Sequence, residues 1–310
     1  MSGHASKKPI YAIAGPTCSG KTALGVDLAL KVDGEVINFD SVQIYKGIEV
    51  ATAKPSTEER RGVPHHLIDY VDPNTDYTAG DWARDALVAI SDIESRGKTP
   101  VLVGGTGFYL RTLCQPLFEG PATDPILRAR FRRLHSERGA EYLHRMLLRL
   151  DAASARRLAV RDYVRVIRAL EVRFQTGKKI SEQQPNRPEP PEIAARIRLF
   201  VLAPDRSKLY EKIDSRTLQH FDNGLVAEVK TLLASGVNEQ GNALGAHAYR
   251  RVCEYLRGER TLGSAIEQSQ RDVRHYAKRQ LTWFRGEPGA EWLMGFGSSQ
   301  GIRDELFSRI

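Results

Sequence analysis

Gly15-Pro16-Thr17-Cys18-Ser19-Gly20-Lys21-Thr22 sets two glycines five residues apart and follows the second with a lysine and a threonine. That spacing suits a phosphate cradle. The glycines let the chain turn tightly so that backbone N–H groups converge on an anion, Lys21 neutralises terminal oxygens, and the Thr22 hydroxyl can ligate Mg2+. A second group with chemical potential is Asp40, which with Ser41 ends the run GEVINFDS. For an Asp-Ser pair alone, a turn or helix cap is the commoner use; beside a phosphate loop, the carboxylate suits a base acting on an acceptor group. An ordinary nucleotide hydrolase would also end an apolar strand in an Asp that orders the metal's water shell. Here the apolar run 101–103 ends instead in Gly104-Gly105-Thr106, and Thr106 has the simple alternative of a helix N-cap. These residues leave open whose phosphates are held and whether they are transferred, hydrolysed or discarded.

The elements that must position these groups follow from hydrophobic period. Ile10–Ala14 is a short apolar run ending in the glycine loop, and 22–32 repeats apolar residues at helical spacing, giving strand, loop and helix. Gly34–Phe39 and 101–103 read as further buried strands, with helices over 79–96 and from about Thr106. After Pro121 the sequence becomes rich in Arg, Leu and Ala, is helical to about Thr176 and holds no convincing strand; QQPNRPEPPE then breaks it, and Ile197–Leu202 is a strand again. The expected fold class is α/β: a P-loop core with a mostly parallel sheet, interrupted by an all-helical insertion domain. Residues 1–127 and 197–310 are expected to form the core with its C-terminal helices, and 128–196 the insertion.

The chain has 310 residues, 41% hydrophobic, enough for a real interior, and a net charge of +8. No apolar run approaches the roughly 20 residues of a membrane span, and residues 1–9 lack a signal peptide's apolar stretch, so a cytoplasmic protein with a frayed start and no membrane partner is expected. Cys18, Cys114 and Cys253 are too few and too scattered for a disulfide framework or zinc site, and adjacent His65 and His66 diverge on a strand with no further ligand in register. The positive charge is segregated. Between Arg128 and Gln175 thirteen arginines face five acidic residues, a surplus equal to that of the whole chain. Arg161, Arg165 and Arg168 recur at helical spacing and would share one face, which points to phosphate contact, since a solvated face usually mixes both signs. Arg271, Arg274 and Lys278 make a second stripe, and Trp283-Phe284 beyond it reads as core.

GPTCSGKT, NFDSVQIYKGIEVATAKP, VPHHLIDYVDP, PVLVGGTGFYLRTL, RDYVRVIRALEV and YAKRQLTWFR occur in the order and spacing of the tRNA dimethylallyltransferases, or tRNA isopentenyltransferases, and span nearly the whole chain. The resemblance implies that residues Gly15, Pro16, Thr17, Cys18, Ser19, Gly20, Lys21 and Thr22 bind the diphosphate of dimethylallyl diphosphate. It implies transfer of the prenyl group to N6 of the adenosine just 3′ of the anticodon, with release of diphosphate. Asp40 would be the base, Thr106 would contact the acceptor and assist, and Arg216, on its own a solvated helical arginine, would face the diphosphate. Asp40, Ser41, Val42, Gln43, Thr106, Arg128, Arg161, Arg165 and Arg168 are expected to meet the tRNA anticodon stem-loop, with Mg2+ as cofactor and the protein a monomer. The chain departs from the family pattern at Ala248, where a Gly usually precedes the Tyr, which bears on RNA contacts around 245–250. Three rivals remain: a P-loop small-molecule or nucleoside kinase using ATP, an RNA-binding module with a degenerate loop, and prenylation of free adenosine nucleotides.

Overall fold

The strands needed to carry the loop are apolar on both faces, because both faces are covered by helices. The structure, a computed structural model, describes residues 8–118, 120–186 and 188–310; most of the expected frayed start lies outside them. The chain divides into two compact units, residues 1–114 with 191–310, and residues 115–190.

In the first unit the chain runs β1 (Ile10–Ala14), α1 (Lys21–Lys31), β2 (Gly34–Phe39), α2 (Thr57–Arg60), β3 (His65–His66), α3 (Ala79–Ser95), β4 (Thr99–Gly104) and α4 (Gly107–Cys114). The second unit, taken up below, holds α5 (Pro125–Arg138), α6 (Ala140–Leu150), α7 (Ala152–Arg157), α8 (Tyr163–Thr176) and α9 (Ile180–Gln183). The first unit then resumes with β5 (Ile197–Leu202), α10 (Arg206–Asp222), α11 (Leu225–Ala234), α12 (His247–Leu256), α13 (Leu262–Arg285), β6 (Glu291–Leu293) and α14 (Gln300–Ser308). The strands form one parallel sheet in the order β3-β2-β4-β1-β5-β6.

Alternation along the strands builds two cores. Ile10, Ala12, Ile37, Phe39 and Leu102 pack under α3 and α4 with Trp82, while Tyr11, Ile13, Val36, Val101 and Val103 pack under α1 and α14 with Leu24, Leu28 and Leu306. A third cluster joins the loop after β2 to α11 and α12 through Ile44, Tyr45, Leu225, Val252 and Tyr249. At the β3 edge, Glu35 accepts from Arg96 at the end of α3 and lies 2.6 Å from His66 Nε2. The arginine contacts chiefly hold its carboxyl down at a pKa of about 2, against the opposing effect of burial.

In the second unit five helices enclose Phe131, Leu143, Leu147, Val166 and Leu170. Asp124 caps α5, accepting from the amides of Ile126 and Leu127 with Pro125 in the first turn.

Candidate active site

The loop after β1 is fixed by sterics. Gly20 has φ +87°, and a Cβ there would stand 2.9 Å from the amide nitrogen of Ser298, so only glycine fits. Thr17, Cys18, Gly20, Lys21 and Thr22 line a cavity of about 1180 Å³. Gly15, Pro16 and Ser19 form the back of the loop: Ser19 is fully buried, its hydroxyl enclosed without a partner and its amide donating to Pro16 O at 3.3 Å. Lys21 Nζ donates to Pro16 O at 2.7 Å. Burial lowers its pKa to about 8, partly countered by the nearby Asp40 carboxylate. Arg216 reaches the loop from α10, with Nη1 3.8 Å from Cys18 Sγ and no ion pair to a described carboxylate. Two cations thus stand at one cradle, neither in an ion pair with a described carboxylate, though Asp40 lies near Lys21.

The acceptor side is built by register. Phe39 of β2 pairs with Gly104 of β4, and a Cβ at Gly104 would lie 2.5 Å from the Phe39 carbonyl group, so the loops leaving these strands start side by side. One oxygen of Asp40 accepts from the amides of Val42 (2.9 Å) and Gln43 (3.3 Å); the other makes no hydrogen bond to a described residue. The turn-capping use of Asp40 and a free carboxylate oxygen thus coexist. Thr106 Oγ1 accepts from Ser41 N at 3.0 Å and donates to Ser41 Oγ at 3.2 Å, so this hydroxyl locks the Asp40 loop instead of capping its own helix. Gln43 Nε2 donates to Thr52 O and Ala53 O, and Lys54, Glu228 and Tyr249 anchor the segment through Tyr45 O, Val50 N and Ala51 N. Asp40, Ser41, Val42 and Gln43 all line the same cavity as Lys21 and Arg216. Ala248 lines it too, in the first turn of α12.

Two residues that the sequence reading holds only inside the motif YAKRQLTWFR, without a role, reach this place from α13. Gln280 accepts from Thr17 N and donates to Gly105 O, both at 2.9 Å. Tyr276, one turn earlier, has its ring centroid 4.7 Å from that of His247, and burial together with Asp40 raises its phenol pKa. Burial and Arg279 lower the His247 pKa to about 4, so this imidazole is neutral at neutral pH.

In the helical unit, the four named arginines separate into two kinds. Arg128 and Arg168 both pair with Glu171, at 2.8 and 3.2 Å, and that glutamate's side chain is fully buried. Arg165 is exposed beside Asp162, and Arg161 lies ahead of α8, whose cap is Asp162. The expected single helical face of three arginines is thus broken at its first member, because Asp162 starts the helix after Arg161. In the C-terminal stripe Arg274 pairs with Asp214, while Phe284 is fully buried, as core placement requires. No cluster of three metal-ligating His, Cys, Asp or Glu side chains occurs among the described residues.

Comparison with known proteins meets this geometry. A sequence model of the IPP transferase family matches residues 43–287. The chain is 45% identical to a tRNA dimethylallyltransferase of Solibacter usitatus, covering 97% of this chain and 98% of that one, and 43% identical to another of Koribacter versatilis, covering 97% of each. Its fold is similar to that of a full-length tRNA isopentenylpyrophosphate transferase from Bacillus halodurans, with TM-score 0.71, 34% identity, and 98% and 97% coverage. It is also similar to a eukaryotic dimethylallyltransferase acting on tRNA, with TM-score 0.76 and 28% identity over 98% of this chain and 77% of that one. A phosphate loop facing the Asp40 carboxylate across one cavity, on a fold and sequence shared over nearly all of this chain with these enzymes, means that the chain belongs to the IPP transferase family, whose members named above are tRNA prenyltransferases.

Proposed function

We propose that this protein transfers the dimethylallyl group of dimethylallyl diphosphate to N6 of the adenosine 3′-adjacent to the anticodon of tRNA, releasing diphosphate. The observation that carries the reading is the meeting, in one cavity, of two cations in no ion pair with a described carboxylate, Lys21 and Arg216, with Asp40, which keeps one oxygen free of hydrogen bonds to described residues. The diphosphate rests in the loop against Lys21 and Arg216. As the allylic C–O bond breaks, its electron pair goes to the diphosphate oxygen, and these cations and the loop amides stabilise the charge. The N6 lone pair forms the new bond to the allylic carbon, and the N6 proton passes to the free oxygen of Asp40. Such a base contributes about 10²–10⁴-fold, because N6 is a poor nucleophile until its proton leaves.

The residues at the loop fit Mg2+: Thr22, which lines the cavity beside Lys21, offers a hard hydroxyl oxygen that would hold the ion against a bound diphosphate. When bound, the ion supplies further neutralisation of the diphosphate.

The acceptor base turns out of its stack to reach Asp40, with Ser41, Val42 and Gln43 around it and Thr106 acting through its hydrogen bonds to Ser41. Arg161 and Arg165, exposed in the helical unit, meet phosphates of the anticodon stem-loop. Arg128 and Arg168 keep enough exposure to join them while holding Glu171. The protein works as a cytoplasmic monomer.

Incubation with labelled dimethylallyl diphosphate, Mg2+ and bulk tRNA, beside free AMP, tests the reading by nucleoside analysis. Label is expected in N6-modified adenosine of tRNA. Label in AMP alone would move the acceptor to free nucleotides, and brisk ATP turnover without donor use would select the kinase reading.

A further inference from the structure

Three loops converge at the carboxyl ends of β2, β4 and β1, and the last two are joined by one buried side chain. Gln280 is 4% exposed. Its carboxamide oxygen accepts from Thr17 N in the donor loop, and its carboxamide nitrogen donates to Gly105 O in the turn that carries Thr106. Only one amide orientation satisfies both partners, since an N–H needs an oxygen opposite it and a carbonyl needs a donor. The fit is close: a Cβ at Gly105 would stand 2.1 Å from Gln280 Nε2. Glutamate lacks the donor, arginine and lysine lack the acceptor, and asparagine is a methylene short. Because Thr106, next in the chain to Gly105, in turn holds Ser41 beside Asp40, a path of hydrogen bonds and peptide links runs from the diphosphate cradle to the base.

We infer that Gln280 is a positioning residue for prenyl transfer, setting the distance between the donor loop at Thr17 and the acceptor turn at Gly105-Thr106. The inference rests on the transfer reading above. The reaction joins two substrates held on separate loops, so its rate depends on that separation more steeply than does the binding of either substrate. It also follows that the Thr17 amide, already engaged by Gln280, is not among the amides that receive the diphosphate.

Gln280→Met keeps length and loses both hydrogen bonds. It is expected to lower kcat by about 10²-fold while KM for dimethylallyl diphosphate stays within about threefold of the unaltered value. A fall in thermal stability with kcat intact, or a KM effect as large as the kcat effect, would overturn the inference. Amide hydrogen exchange gives a second readout that does not need turnover. Gln280→Met should speed exchange at both 15–22 and 104–107, whereas Gln280→Glu, which keeps an acceptor for Thr17 N, should speed it at 104–107 alone. Unchanged exchange in both segments would overturn the inference even if Gln280→Met folds poorly, since Gln280→Glu then carries the measurement. Failure of the unaltered protein to prenylate any tRNA would instead sink the functional reading and, with it, the role in transfer.

Discussion

At the residue scale, Asp40 can be tested without disturbing its loop. In Asp40→Asn the amide oxygen can still accept from Val42 N and Gln43 N, so the turn survives while proton acceptance is lost. Turnover should drop about 10²–10⁴-fold with tRNA affinity retained, and a binding titration beside single-turnover rates separates the two. Lys21 gives a pH signature. In the proposed reading the charged amine holds the anion, and burial places its free-state pKa at about 8, so KM for the donor should be level below that pH and climb up to tenfold per unit above it. Lys21→Arg, charged throughout, should remove the climb; a wild-type KM level to pH 9.5 would mean that the amine does not hold the donor. The loop residues were legible in the sequence because a phosphate turn demands glycines at fixed places. Gln280 was not, because a glutamine within a long helix acquires meaning only once strand order sets Thr17 and Gly105 on either side of it.

At the element scale, β2 is held to α3 and β3 by Glu35. Its folded-state pKa lies below the unfolded value, so the stability it contributes is full above about pH 4.5 and is lost as the pH falls toward 2. Glu35→Gln should therefore cost about 3 kcal/mol at pH 7 and much less at pH 3, as read by urea unfolding at both. The main strands and helices were readable from their period: helix 79–96 is found at Ala79–Ser95 and the returning strand at Ile197–Leu202. The edge strands β3 and β6, two and three residues long, are too short to show any period.

At the scale of the whole molecule, the positive surplus of the helical unit mixes two functions that a count of charges cannot tell apart. Arg161→Glu with Arg165→Glu should weaken tRNA binding and reduce the salt slope by about 2, measured across a potassium chloride series. Arg128→Ala with Arg168→Ala should act on folding as well, because Glu171 would be left buried without its two partners; a loss of about 3–5 kcal/mol in the unfolding of the helical unit is expected. Equal and purely RNA-directed effects of the two pairs would contradict that division. The division was hidden in the sequence because Glu171 looks like any other acid until α8 turns it inward beneath α5. The parallel sheet has a consequence of its own for biosynthesis. β1, which presents the donor loop, is flanked by β4 on one side and by β5, from beyond residue 190, on the other. A nascent chain emerging from the ribosome therefore displays its anion nest before β5, the strand that walls it on one side, has been made.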